Sequence, residues 1–435
     1  MSLYSRNIRT RDLDPANNIP NQLVTFRLPE GAYYPNLRLA NIGVIQTGNH
    51  HYNRIAGVYS VIKHVRLTVN GQELDSLRFA NRYLAWSNMN NSNEDNLCIN
   101  KMLNKNNLGY DVTVTNSNGT AAANGKEFIP VRDQRVAAAR DDASLGHLDL
   151  RKCLPLLENI PYLDSDLMGG NIQLTVEFES SAVPVTVDNA NAVSVQSPVL
   201  LVDEIINDET RKALRAQTQG VIFSKIEHDV VQVPEASARP ATTEAPIPQS
   251  VSLKVNSFDD KFVNRIICMK SYVDKSKYIQ GTEVIGLGDF GSLSVFREKW
   301  NFRLNGALVF PTGINSRSAR AMMLSDAWGK VNYIPYGNMQ SVGLDEIEDK
   351  VSTITHKDNV PFKLSATEHG MYVGTMDYCG FTLNERVNEL NIDFARETVE
   401  RFGAFTAHGA GDPAFDALEI HVYAERRKSI NFSNS

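Results

Sequence analysis

Val61-Ile62-Lys63-His64-Val65-Arg66-Leu67-Thr68-Val69-Asn70-Gly71-Gln72-Glu73-Leu74-Asp75 is the stretch on which the fold turns. From Val65 to Val69 apolar and polar residues alternate, which puts 65, 67 and 69 on one face, the period of a half-buried strand. Asn70-Gly71 then interrupts it. Both central residues of a two-residue type I′ turn need positive φ, which Gly adopts freely and Asn more readily than most residues, so the pair marks a hairpin. From Leu77 to Trp86 the apolar residues fall at helical spacing.

The same unit recurs a little over half the chain later. Trp300-Asn301-Phe302-Arg303-Leu304 alternates and runs into Asn305-Gly306, and Ala307 to Phe310 follows. Ala319, Met322, Met323 and Ala327 then lie at helical spacing, ahead of Trp328-Gly329. Each half also ends on an alternating segment, Gln173–Phe178 in the first and Leu418–Tyr423 in the second. Strand, Asn-Gly turn, strand, helix and tryptophan in one order, twice, predict two copies of a single sandwich. Asn70, Gly71, Asn305 and Gly306 are its structural hairpin turns, and Trp86, Trp300 and Trp328 its candidate core tryptophans. A helix over 207–219, opening on Asn207 as N-cap, joins the copies.

Further alternating segments lie at 23–28, 37–42, 251–255 and 390–394, and convincing helices are few and short, which argues for an all-β chain of sandwiches. Two stretches read as long loops. Nine Asn lie between Asn88 and Asn107, and Thr113–Lys126 continues that stretch. Pro234 to Ser250 carries four prolines. Loops of such length inside compact domains usually have a function.

Composition narrows the classes. With 435 residues, 42% hydrophobic and 22% charged, the chain is neither disordered nor fibrous, and its length fits about three ordinary domains or two large β domains. A net charge of −6 lacks the basic field expected where phosphate binding dominates, so sequence-specific nucleic-acid binding is not expected. Cys98, Cys153, Cys268 and Cys379 lie far apart without a C-x-x-C pair and read as reduced, mostly buried thiols. The segment from Met1 to Asn7 has no signal-peptide pattern, and no apolar run approaches the ~20 residues of a membrane helix. The expectation is a soluble protein assembled inside a cell.

The motifs that could carry chemistry read as structural. Gly286-Leu287-Gly288-Asp289-Phe290-Gly291 matches a dinucleotide fingerprint, but strand-like Ser292–Phe296 follows where a helix is required. His50-His51 are adjacent, and adjacent strand residues point to opposite faces, a poor geometry for one metal. The sequons at Asn90, Asn118 and Asn431 read as chance in an Asn-rich chain. Arg6, Arg9 and Arg11, and Glu425-Arg426-Arg427-Lys428, could meet phosphate or membrane or could be solvated. No catalytic, cofactor-binding or metal site is expected.

The stretch from Val61 to Asp75 resembles the hairpin of double jelly-roll major capsid proteins, the lineage of adenovirus-type capsids, large DNA viruses, virophages and polinton-like viruses. Leu148-Asp149-Leu150, Leu154-Pro155-Leu156 and Ile172-Gln173-Leu174 resemble the end of their first jelly roll. Asn301–Gly306 with Phe310-Pro311 resembles the second hairpin. Asn70-Gly71 departs from the Gly-Gly common among large DNA viruses and favours a smaller, virophage-like or polinton-like relative. The resemblance implies two tandem eight-stranded jelly-roll sandwiches with a few short helices. These divide as an N-terminal arm at 1–20, a first jelly roll at 21–206, the linker helix at 207–219 and a second jelly roll at 220–435. It further implies a structural major capsid protein, not an enzyme and without cofactors. Its homotrimers are pseudo-hexameric capsomers tiling an icosahedral virion shell. Partners would be further copies, penton and minor capsid proteins, with an internal membrane left open. The loops at 88–126 and 234–250 then become outward towers or clasps between subunits. The alternative is a tandem jelly-roll carbohydrate-binding protein or glycan-active enzyme.

Overall fold

Ile172–Phe178 buries every second side chain, with Ile172, Leu174, Val176 and Phe178 inward. It lies between two other strands, Leu174 facing Phe26 on one side and Leu67 on the other. The computed structural model describes residues 7–45, 50–52, 57–89, 110–115, 121–129, 146–179, 185–187, 194–217, 220–236, 248–273, 296–310, 354–355, 361–364, 378–398 and 417–431.

The first sandwich is built from β1 (Ile8–Leu13), β2 (Leu23–Arg27), β3 (Arg38–Ile42), β4 (Ile62–Val69), β5 (Gln72–Arg78), β6 (Gly146–Asp149), β7 (Ile172–Phe178) and β8 (Val199–Ile205). Its sheets run β1-β8-β3-β6 and β2-β7-β4-β5, and the short strands Ala32–Tyr33 and Leu163–Asp164 extend the first and Asn17–Ile19 the second. The second is built from β9 (Gly220–Val233), β10 (Gln249–Val255), β11 (Lys261–Tyr272), β12 (Phe296–Leu304), β13 (Ala307–Leu308), β14 (Tyr378–Val387), β15 (Leu390–Thr398) and β16 (Leu418–Asn431). Its sheets run β9-β16-β11-β14 and β10-β15-β12-β13. Adding eight to every strand number of the first sandwich gives the second, and every pairing is antiparallel. This is jelly-roll connectivity, carried out twice.

Equivalence extends to single residues. Val69 faces Ile172 as Leu304 faces Leu390, so Val65, Leu67 and Val69 correspond to Trp300, Phe302 and Leu304. Relative exposure is 0%, 0% and 6% in both sets. Trp300 packs edge-on against Phe394 of β15, ring centroids 5.2 Å apart.

In three places the structure differs from the sequence reading. The strand equivalent to Leu418–Asn431 is β8, not Gln173–Phe178, whose counterpart is β15; both pairs end on alternating residues, and only the ladders separate them. Thr113–Lys126 is not loop throughout: Tyr110–Thr115 and Ala121–Ile129 pair as antiparallel strands, in the first of which Val112 and Val114 alternate with Thr. Tyr110–Thr115 also pairs with Pro361–Leu364, so connections of the two halves meet in one small sheet. Finally, residues 8–13 of the supposed arm are β1, a strand of the first sandwich.

Among the described residues three α-helices punctuate the sheets: α1 (Ala80–Met89), α2 (Leu156–Asn159) and α3 (Asp208–Gln217). Asn207 caps α3, its side-chain oxygen accepting the Thr210 N–H at 3.0 Å. Arg215 of α3 fixes the helix to the first sandwich through Asp164, at 2.7 and 2.8 Å. Trp86 lies in α1. Trp328, the helical stretch around it, and Gly286–Gly291 lie outside the described residues.

Candidate functional site: the junction between the sandwiches

Asn70-Gly71 and Asn305-Gly306 both take left-handed backbone, φ 48° and 82° in the first turn, 50° and 84° in the second. Neither Asn is a passive turn residue. Asn70 Nδ2 donates to the Gly169 carbonyl at 2.6 Å and its Oδ1 accepts the Asn171 N–H at 3.1 Å. Asn305 Nδ2 donates to the Arg386 carbonyl at 3.2 Å, and its Oδ1 accepts the N–H groups of Asn388 and Glu389 at 2.8 and 3.1 Å.

The two sandwiches meet where the β5–α1 corner of the first packs on β9, β11 and β16 of the second. A single apolar cluster runs through the contact, joining Val65, Leu77 and Leu84 of the first half to Phe223, Ile267, Met269 and Tyr423 of the second. Burial of each such side chain contributes about 1.5–3 kcal/mol. The junction therefore behaves as core. At its centre stands Phe79, whose φ of 48° is unusual for an aromatic residue. Tyr423 Oη donates to the Phe79 carbonyl at 2.8 Å. The rings of His228 and His421 lie 5.0 and 4.8 Å from the Phe79 ring, and the Arg82 guanidinium sits 4.8 Å from its centroid.

Polar groups thread this contact in a directed chain. His421 Nε2 lies 3.0 Å from Glu419 Oε1, and His421 Nδ1 lies 2.9 Å from His228 Nε2. The carboxylate accepts, so His421 carries its proton on Nε2 and accepts at Nδ1 from His228 Nε2–H. Glu419 is 3.6 Å from Arg82, Arg82 is 3.7 Å from Glu179, and Asn81 Nδ2 donates to Glu179 at 3.1 Å. Burial holds His228 down to about 2, with His421 and Arg82 adding to the effect, and burial with Arg82 holds His421 well below its ordinary value. The pair is neutral at physiological pH. Beside it, Lys225 reaches Glu73 at 2.8 Å and Lys428 donates to the Leu74 carbonyl at 3.0 Å.

Under the hairpin, Asp75 is fully buried and accepts the N–H of Ser76 and of Leu156, capping α2. Burial pushes its carboxyl up to about 6. These groups position the two sandwiches relative to one another. Nothing in the sequence spacing announces them; the one local signal is that His421 lies between Ile420 and Val422.

The basic residues singled out from sequence are engaged within the chain. Arg9 and Arg11 pair with Glu204 at 2.7 and 3.2 Å, Arg426 with Glu227 at 2.6 Å, and Arg265 with Glu425 at 2.6 Å. Arg427 is exposed, and Arg6 lies outside the described residues. His50–Tyr52 is a short strand paired with 185–187. Among the described residues no His, Cys, Asp and Glu cluster could hold a metal ion, and no helix is long and apolar enough to cross a membrane.

No family model matches the chain, and no curated protein matches it. Solved structures do. PBCV-1 VP54, as fitted into a reconstruction of the virophage Sputnik, matches with a TM-score of 0.54 at 11% identity, over 100% of this chain and 97% of that one. The Faustovirus major capsid protein gives 0.51 at 10% identity, over 98% and 90%. The quasi-atomic PBCV-1 capsid gives 0.51 at 12% identity, over 100% and 97%. At such identities the likeness is one of fold, and the fold of this chain is the double jelly roll found in those capsid structures.

Proposed function

We propose that the chain is a structural major capsid protein, not an enzyme, whose homotrimers form pseudo-hexameric capsomers of an icosahedral virion shell assembled inside the host cell. One observation carries this reading: the same eight-stranded sandwich occurs twice in identical strand order, and the copies are fused through a shared apolar core. A rigid block of two equivalent sandwiches supplies six of them when three copies meet around an axis, and such units close into a shell through repeated contacts. The fold's occurrence in capsid structures supports the same reading. The division into a first sandwich ending at 206, a joint at 207–219 and a second sandwich from 220 follows α3. Penton and minor capsid proteins, and a membrane beneath the shell, are partners of the kind this role requires.

Light scattering tests it directly. A stable particle of about three times 48.4 kDa, seen as a six-lobed tile in negative stain, is the expected result. A monomer at high concentration that binds sugars would overturn it in favour of a carbohydrate-binding role.

A further inference from the structure

Cys268 and Cys379, far apart in sequence, stand directly opposite each other in the antiparallel β11–β14 ladder, between the pairs Ile267 with Gly380 and Met269 with Tyr378. Opposed residues of an antiparallel pair have Cα atoms about 4.5 or 5.5 Å apart, according to whether the pair is hydrogen-bonded. A disulfide needs about 4.4–6.8 Å, so either case falls inside its range without backbone movement. Directly opposed residues also share one face of the sheet. The ladder thus brings two cysteines to one register position, a juxtaposition that their sequence spacing conceals.

We propose that Cys268 and Cys379 are a redox pair that closes a reversible cross-strand disulfide. The oxidant is a small disulfide such as oxidised glutathione. One cysteine thiolate attacks it, forming a protein–glutathione mixed disulfide and releasing one glutathione. The second cysteine, as thiolate, attacks the protein sulfur of that mixed disulfide and releases the other glutathione. Two protein thiols and one oxidised glutathione thus become one protein disulfide and two reduced glutathiones. Cys268 is fully buried, but β14 ends its sheet in the order β9-β16-β11-β14, and terminal strands open before central ones. The bond would tie that edge strand to its neighbour and close the long stretch between them, the kind of loop whose closure constrains the unfolded chain most. Cys153 is an internal control. It is buried in the first sandwich, burial pushes its thiol up, and it stays reduced. The proposal stands independently of the shell reading.

The test uses the whole wild-type chain, treated with oxidised glutathione, then unfolded in denaturant with an alkylating reagent and digested without reductant. The expected product is one linked peptide pair containing Cys268 and Cys379, about 2 Da lighter than the two thiol peptides, with Cys153 alkylated. Dithiothreitol restores both thiols. Oxidised wild type should unfold at a higher temperature than reduced wild type, and Cys268→Ala/Cys379→Ala should show no such difference. Recovery of both cysteines as alkylated thiols overturns the proposal. So does a persistent glutathione adduct on either one, because the partner would then be out of reach.

Discussion

Asn70 and Asn305 occupy the same point of the two sandwiches, and each grips the segment entering the central strand beside it. Asn70 holds Gly169 and Asn171 ahead of β7, and Asn305 holds Arg386, Asn388 and Glu389 ahead of β15. One residue thus sets a hairpin and ties down a second connection. Gly could supply the φ but not the bonds, and Ala neither. Asn70→Ala and Asn305→Ala should each lower stability by about 1–2 kcal/mol in urea unfolding, and the Gly variants by less. The two side chains share no hydrogen-bond partner, so the double Ala variant should lose the sum within about 0.5 kcal/mol.

Gly170 is required by that grip. A Cβ there would overlap the Asn70 side-chain amide. Gly170→Ala should destabilise the wild-type chain yet cost markedly less in an Asn70→Gly background. A double-mutant cycle measures this coupling, and equal costs in both backgrounds would show that the two residues act separately.

Phe79 stores strain at the junction. Left-handed backbone costs a residue with a Cβ about 1–2 kcal/mol. The ring contacts and the Tyr423 hydrogen bond hold it there. Phe79→Ala loses the ring and keeps the strain, whereas Phe79→Gly loses the ring and relieves it. The smaller residue should be the less damaging by about 1 kcal/mol, the reverse of an ordinary core position. Equilibrium unfolding of both variants decides it.

The buried histidine pair makes the junction acid-sensitive in a calculable direction. Both histidines have folded values far below the ordinary 6.5, so the unfolded chain binds their protons first as pH falls. Their contribution is fully present above about pH 7 and is lost below 6.5, at about 1.4 kcal/mol per pH unit for each histidine. Asp75 works oppositely, because its folded value near 6 lies above its ordinary 3.8 and the folded state takes the proton first. That effect is common to wild type and to His228→Gln/His421→Gln, so it cancels between them. Stability of the double variant should fall less steeply between pH 6.5 and 5, by about 2–3 kcal/mol per unit. Parallel pH profiles would place the two protons elsewhere.

How much of this was legible depends on how local the cause is. Val65, Leu67 and Val69 alternate and Asn70-Gly71 follows at once, so hairpin and duplication could be read directly. The match of Trp300 to Val65 follows from the turn as well. The junction could not be read, since His228 and His421 owe their environment to Phe79, which lies far from both in sequence. β7 matches β16 as readily as its true counterpart β15 in the sequence, because Leu390–Thr398 and Leu418–Asn431 carry similar alternation, and only pairing tells a central strand of one sheet from that of the other.

The first strand is the sharpest case. Ile8-Arg9-Thr10-Arg11-Asp12-Leu13 is polar enough to read as a loose arm. It is a strand because β8 supplies its complements: Glu204 for Arg9 and Arg11, and Asp203 for Thr10 at 2.7 Å. Each exposed ion pair is worth less than about 1 kcal/mol, so charge alone would not hold it. The ladder from Ile8–Ile205 to Leu13–Leu200 does, and its loss would leave β8 with unpaired backbone groups along one side. Removal of residues 1–14 should therefore lower the thermal midpoint and promote aggregation through the bared strand, whereas Glu204→Gln should shift the midpoint only slightly. A truncated chain that melts like the full one would mean that β1 adds nothing to the first sandwich and serves as an arm after all.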